Sequence, residues 1–409
     1  MHRLSLLFIA LGLLTAVGCS DSASEKRSGS ASAASDATSK GSAASPSGSL
    51  GSGTSGAATG AAGTAASAPM PGAPTLGASA GTAGSGAAAG ASAHAYADAD
   101  GGVAHDAAEP PPIPSGVLTA GTWDDNLNYQ RFAAYRKAHP KSELAGLLPI
   151  DDQEFDDAHA AHAQSTTAHT KLDVALVIDT TGSMGDEIAY LQREFIALSS
   201  SIHRAYPNAE QRWALVAYRD DGDEYVTRWF DFRTDAAAFN AKLAEQSAGG
   251  GGDYPESPDK AFETMNQLGW RKDASVARLA FWVADAPHHD ARAAALADAL
   301  RGAQGSEIHV YPVASSGVDT LTELTMRSAA QLTQGRYLFL TSDSGIGGEH
   351  KEPELPCYFV TSLTDAISRM VDVELSGKYH EPSAAQVLRS AGDPQDQACE
   401  LASGTAQAF

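Results

Sequence analysis

From Lys171 onward, short apolar runs alternate with amphipathic stretches, whereas the first hundred or so positions show neither pattern. VALVI at 174–178 is unbroken, the signature of a strand buried on both faces. Similar runs recur as WALVAY at 213–218, ARLAFWVA at 277–284, EIHVYPV at 307–313 and RYLFL at 336–340. In between, residues 185–204 place Ile188, Leu191, Phe195, Leu198 and Ile202 at intervals of three and four, which makes one apolar face of a helix. Further helices are predicted near 235–246, 258–268, 290–302, 319–333 and 362–375. The turn DDGDE at 220–224 leads from WALVAY into YVTRWFDF at 225–232 and predicts a hairpin that returns antiparallel.

This alternation predicts an α/β fold: a doubly wound, mostly parallel, Rossmann-like sheet with helices on both faces and one antiparallel edge strand. Pro312 suits a strand end or an edge. Trp229, Trp270 and Trp282 each lie in or beside a core element and read as packing residues. Open parallel sheets carry their sites at the carboxyl ends of the strands. Asp179 follows the first predicted strand and Asp285 the fourth, so both are expected on the same rim.

Ahead of this region the composition changes twice. MHRLSLLFIALGLLTAVGC starts with Arg3, continues with an apolar stretch from Leu4 to Val17 and ends in small residues before Cys19, the layout of a secretion signal over 1–19. Residues 20–113 are rich in Ala, Gly and Ser, with too little apolar surface to offset ordering entropy, and are expected to form a disordered tether. A chain of roughly 90 such residues has a root-mean-square span on the order of 50 Å. Residues 114–170 form a short segment and linker: GTWDDNLNYQRFAAYRKAHP suggests a helix, and DDAHAAHAQSTTAHT reads as solvated linker despite its histidines. The domain is expected over 171–377 and a tail over 378–409.

The 28 Lys and Arg are outnumbered by 50 Asp and Glu, for a formal charge of −22. An excess of that sign repels polyphosphate and anionic lipid, which excludes nucleic acid as an expected partner. Of three cysteines, Cys357 and Cys399 remain beyond the signal. An oxidising compartment permits one disulfide between them; two buried free thiols are the other reading.

The chemistry concentrates in DTTGSMGD at 179–186. Asp179, Thr181 and Ser183 alternate along a strand-to-helix turn, where three oxygens converge beside a helix N-terminus. Hard oxygen donors of this kind suit Mg²⁺, with Mn²⁺ or Ca²⁺ as alternatives. The motif alone is also what an N-cap prefers; Asp285 on the same rim gives it weight. Asp220, Asp221, Asp223 and Glu224 share that rim and read as a solvated turn, while His288 and His289 read as exposed loop histidines beside Asp285.

Residues 171–377 resemble the von Willebrand factor type A domain, whose metal-ion-dependent adhesion site uses D-x-S-x-S, a Thr from a later loop and an Asp after the fourth strand. Asp179, Thr181 and Ser183 match the first element, with Thr for the first Ser, and Asp285 in WVADAPHH matches the last. GGGGDYPESP places Asp253 where the family has Thr. AYRDDGDEYVTRWFDF, GGGGDYPES, LGWR and FWVADAPHH resemble a branch that includes hemicentin-like and alpha-kinase-linked A domains and bacterial surface proteins, in which this Asp is usual. AGTWDDNLNY resembles a segment that precedes such domains in bacterial lipoproteins, and VGC at 17–19 resembles a lipobox with Cys19 as the lipid-bearing residue. Ser20 then implies export to the outer membrane, with the lipid as the only membrane contact.

The resemblance implies a non-enzymatic, surface-tethered, cation-dependent module that binds a protein ligand or a cell-wall polymer. A structural envelope protein with an incidental metal site is the alternative. A metal-dependent phosphohydrolase is the weakest reading: aspartyl-phosphate chemistry wants a second Asp two positions after the nucleophile, where this chain has Thr181, and no Gly-rich phosphate loop with Lys is present.

Overall fold

A computed structural model describes residues 116–163, 168–252 and 254–409. The signal at 1–19 with Cys19 and the linker at 20–113 lie outside the described residues. The alternating pattern resolves into strands and helices in the predicted order. β1 is Thr119–Trp123, α1 Tyr129–Ala138, α2 Asp152–His162, β2 Lys171–Asp179, α3 Gly185–Ala205, β3 Glu210–Tyr218 and β4 Thr227–Arg233. Then follow α4 Ala236–Ala244, α5 Pro258–Asn266, β5 Val276–Ala284, α6 Ala293–Gly305, β6 Ile308–Ala314, α7 Thr320–Leu332 and β7 Tyr337–Thr341. The chain closes with β8 Tyr358–Ser362, α8 Leu363–Ser376, β9 Arg389–Ala391 and a hairpin of β10 Ala398–Leu401 with β11 Gly404–Gln407.

Among the described residues the main sheet has the order β4-β3-β2-β5-β6-β7-β1-β8-β9. β3, β2, β5, β6 and β7 run parallel, so the sheet is mostly parallel and doubly wound, as the alternation predicts. β2 lies between β3 and β5 with both faces covered, which is why its sequence is apolar without alternation. Leu172, Val174, Leu176 and Ile178 pack into the layer that holds Ile188, Leu191 and Phe195 of α3, Phe239 of α4 and Ile367 of α8. Ala175 and Val177 pack on the other side, in the layer of Phe262 from α5, Leu296 from α6 and Met326 from α7. No helix among the described residues is long and apolar enough to cross a membrane.

The sheet departs from a single antiparallel edge strand. β4 is antiparallel to β3 as expected, but β1 is also antiparallel, inserted between β7 and β8, and β9 is antiparallel to β8. TAGTW hides its strand character because Gly and Ala carry no apolar signal, yet all five residues are buried. The close packing explains the glycine: a Cβ on Gly121 would lie 2.3 Å from the ring of Phe339. The segment at 156–170 also differs from a solvated linker. It is helical to His162 behind a capping box of Asp151 and Glu154, and His159 stacks on Tyr129 with ring centroids 4.4 Å apart. Cys357 and Cys399 are paired as a disulfide, their Cα atoms 6.2 Å apart, which ties the entry to β8 to β10.

The residues after β1 dock onto α7 by a buried ion pair. Arg327 donates from Nε to Asp125 Oδ2 at 2.9 Å and from Nη2 to Asp125 Oδ1 at 2.7 Å, and its Nη1 reaches Glu323 Oε1 at 3.1 Å. Trp123 Nε1 donates to the same Asp125 carboxylate at 3.0 Å. Both partners are almost fully buried. Removing one of them strands the other as an uncompensated charge, which costs about 3–5 kcal/mol. Asp125→Ala is therefore expected to lose stability of that order in a urea denaturation, and a loss below about 1 kcal/mol would show that the contact is peripheral.

Candidate functional site

β2, β3, β5 and β6 end on one edge because they are parallel and in register. Asp179 is the last residue of β2 and fully buried. Its Oδ1 accepts the Thr181 backbone N–H at 2.9 Å and the Thr181 hydroxyl at 2.7 Å, an Asx turn that hands the strand over to the single turn Gly182–Met184 and then to α3. Its other oxygen, Oδ2, is buried with no hydrogen-bond partner. Asp285 directly follows β5 and is 5% exposed. Its Oδ1 is likewise buried and unpartnered.

Burial first, and the charge of Asp285 second, push the Asp179 carboxyl up to about 7, against the hydrogen bonds from Thr181. Burial also raises Asp285, with Ser183 opposing it. These carboxylates have been taken out of water without a counter-charge, an arrangement that stability alone disfavours.

Two further acids reach the same place, and sequence reasoning does not single out either. Glu256 is 3% exposed, has an unpartnered Oε2 and is pushed up to about 9, by burial foremost and then by the charges of Asp179, Asp220, Asp223 and Asp285. Its backbone N–H donates to Pro287 O at 2.8 Å, which pins the glycine-rich loop to the segment after β5. Glu187, in the first turn of α3, is 1% exposed; its Oε1 accepts the Ser316 hydroxyl at 3.1 Å and its Oε2 has no partner. The signal available for Glu256 is its place in GGGGDYPES, and for Glu187 an acid on the apolar face of a helix. Neither is specific without the fold.

The glycine-rich loop is held by the acidic turn. Gly250 and Gly251 have φ of +79° and +73°, and a Cβ on Gly250 would stand 2.4 Å from the Asp223 carboxylate, which accepts the Gly251 N–H at 3.1 Å. Asp220 is buried, not solvated: its Oδ1 accepts Ser257 Oγ at 2.6 Å and pairs with His289 Nε2 at 2.7 Å. Burial pulls its carboxyl upward, but Ser257 and His289 outweigh that and hold it below the usual range. Asp221 stays exposed and pairs with Arg292. His288 is not an exposed loop histidine either; it is 1% exposed, with Nε2 on the Gly146 carbonyl at 2.8 Å. Asp253 lies outside the described residues.

Thr181, Ser183, Tyr254, Glu256, Asp285 and Glu349 line one open cavity of about 650 Å³. Among the described residues no Lys, Arg or His lines it. The described residues also contain no group of three or more His, Cys, Asp or Glu side chains placed to hold a metal ion. A cation here would therefore draw on alcohols and water beside two carboxylates, a hard oxygen set, and the orphaned oxygens of Asp179 and Asp285 are the features that fit one.

Residues 173–346 match the family model of the von Willebrand factor A domain, so the chain carries a von Willebrand factor A domain over that part of its length. It is 25% identical over 132 residues to the alpha-protein kinase vwkA of Dictyostelium discoideum, a match that takes in 32% of this chain and 21% of that protein. The chain thus spans about a fifth of the length of this curated relative. Among solved structures, it is similar to the pilus adhesin SpaC of Lactobacillus rhamnosus GG, with 14% identity, a TM-score of 0.32 and 41% of this chain and 28% of that one covered. It is also similar to the conserved hypothetical protein BatB of Bacteroides thetaiotaomicron, with 13% identity, a TM-score of 0.32 and 50% and 97% covered.

In the metal-free protein the Asp179 carboxyl keeps its proton to higher pH than it does in the unfolded chain. Its stabilising contribution is complete below the ordinary value of 3.8 and is lost as pH rises through the folded value near 7. In chelator, the stability of the wild type relative to Asp179→Asn is expected to fall between about pH 4 and about pH 7 and to level off above that. A difference in urea denaturation that is constant or grows over that range would refute the assignment.

Proposed function

We propose that this protein is a surface-tethered, divalent-cation-dependent binding module that grips a protein ligand or a cell-wall polymer across the rim. The observation that carries the reading is the pair of buried, unpartnered carboxylate oxygens, Asp179 Oδ2 and Asp285 Oδ1, at the ends of neighbouring parallel strands. With the hydroxyls of Thr181 and Ser183 they would hold Mg²⁺, or Mn²⁺ or Ca²⁺ in its place, and Asp253 is proposed to join them from the glycine-rich loop. When bound, such an ion offers an open coordination position to a partner's oxygen. The chain's own part is to keep the donors dry and oriented: Thr181 locks the Asp179 rotamer, and Arg219 fixes the glycine-rich loop to β2 through Thr180 O at 3.0 Å and Ser247 O at 2.8 Å.

Lipidation of Cys19 and a long linker would hold the module off an outer membrane. No catalytic step is part of this reading, and the similarity to a kinase covers too little of that protein to bring its activity here. The structural alternative, a domain that assembles in the envelope with the cation incidental, is separated by chelator. Isothermal calorimetry of the full chain is expected to show Mg²⁺ binding that Asp179→Ala and Asp285→Ala abolish, and envelope proteins captured in Mg²⁺ are expected to elute with chelator. Wild type that takes up no Mg²⁺, or capture indifferent to chelator, would overturn the reading.

A further inference from the structure

The charge balance of the rim goes beyond the holding of an ion. Five carboxylates surround or back the cavity: Glu256, Asp285 and Glu349 line it, Asp179 lies at the end of β2 below, and Glu187 stands behind Ser316, which also lines it. A divalent cation held by Asp179 and Asp285 would leave the carboxyls of Glu256, Glu187 and Glu349 unmatched. No cationic side chain compensates the rest, because the nearby guanidiniums are engaged elsewhere: Arg219 on the carbonyls of Thr180 and Ser247, Arg292 on Asp221 and Ser257. Glu256 carries the point beyond a mere acidic cluster. It is buried, it lines the cavity, and its Oε2 lacks any partner.

An aromatic wall stands beside these acids. Tyr254, at 46%, is one of the few large hydrophobic side chains left exposed among the described residues, and its hydroxyl donates to the Gly317 carbonyl at 3.1 Å, which holds the ring at the cavity mouth. Carboxylates below and a fixed aromatic face alongside form the environment that recognises an ammonium or a guanidinium, by charge-assisted hydrogen bonds and by cation–π attraction. Away from the ion, a partner's acidic side chain would find no cationic side chain on the described wall of this cavity.

We infer that the cavity takes a Lys or Arg side chain of a partner protein, seated between Glu256 and the ring of Tyr254 beside the cation site. The inference names the partner chemistry of the proposed binding function and rests on that reading. A formal charge of −22 on the chain adds long-range attraction for a basic partner.

The experiment uses the full chain in Mg²⁺ against displayed heptapeptides that differ only at a central Arg, Lys, Glu or Asp. Arg and Lys peptides are expected to be enriched about tenfold or more over the acidic ones, as for one charge-assisted contact of about 1.4 kcal/mol. Glu256→Gln and Tyr254→Ala, each confirmed as folded by circular dichroism, are expected to remove most of that preference; Tyr254 is exposed, so its variant carries little folding risk. Enrichment of acidic peptides, no enrichment, or a basic preference unchanged in both variants would overturn the inference. Calorimetric Mg²⁺ uptake by the same wild-type sample separates the two proposals: uptake with acidic enrichment sinks only the basic partner, and basic enrichment without uptake sinks only the cation.

Discussion

Burial of β2 on both faces is the constraint from which the rest follows. A strand enclosed by β3, β5 and two helical layers has only its ends free for polar groups, and it carries a buried Asp at each. At the amino end, Asp173 is saturated: Arg212 Nε reaches Oδ1 at 2.8 Å, and Arg271 supplies its backbone N–H at 2.9 Å and its Nε at 2.9 Å. At the carboxyl end, Asp179 has one oxygen bonded and the other bare. The two acids have the same strand and the same parity, so the difference lies in what the chain has placed around them. Two arginines close the base as structure, and their absence leaves the rim unfinished.

The loops of the rim brace one another. Asp223 accepts from the glycine-rich loop, Asp220 holds Ser257 and His289, and Glu256 hangs from the segment after β5. Acids in the DDGDE turn thus position the acids that stay unpaired. Charges that read alike in one dimension divide into braces and free groups in three, which is the arrangement a preorganised binding site needs.

Much of the fold is legible in the sequence because long, doubly buried strands leave a strong apolar signal, and α3 shows its face at intervals of three and four. β1 is illegible for a physical reason: its close fit against Phe339 requires a residue without a side chain, and that removes the hydrophobic pattern. β8 and β9 are short and lean on a strand that is itself hidden. For the site, Asp179, Thr181, Ser183 and Asp285 are readable because spacing and strand ends locate them. Glu256 and Glu187 are not, since an acid in a loop or a helix turn is ordinarily solvated and only tertiary burial makes it otherwise. The two histidines mislead for the opposite reason: polar neighbours in sequence suggest exposure, whereas Gly146 and Asp220, distant in the chain, cover them.

The inserted strand has a mechanical side. Thr119, where β1 begins, pairs with Thr341 at the carboxyl end of β7, so the chain enters the sheet from the rim end. Tension between the backbone ahead of Gly116 and anything gripped there would be transmitted at that single end. It would draw β1 lengthwise against two neighbours at once, so that the crosswise hydrogen bonds on both sides resist together in shear and do not unzip one by one.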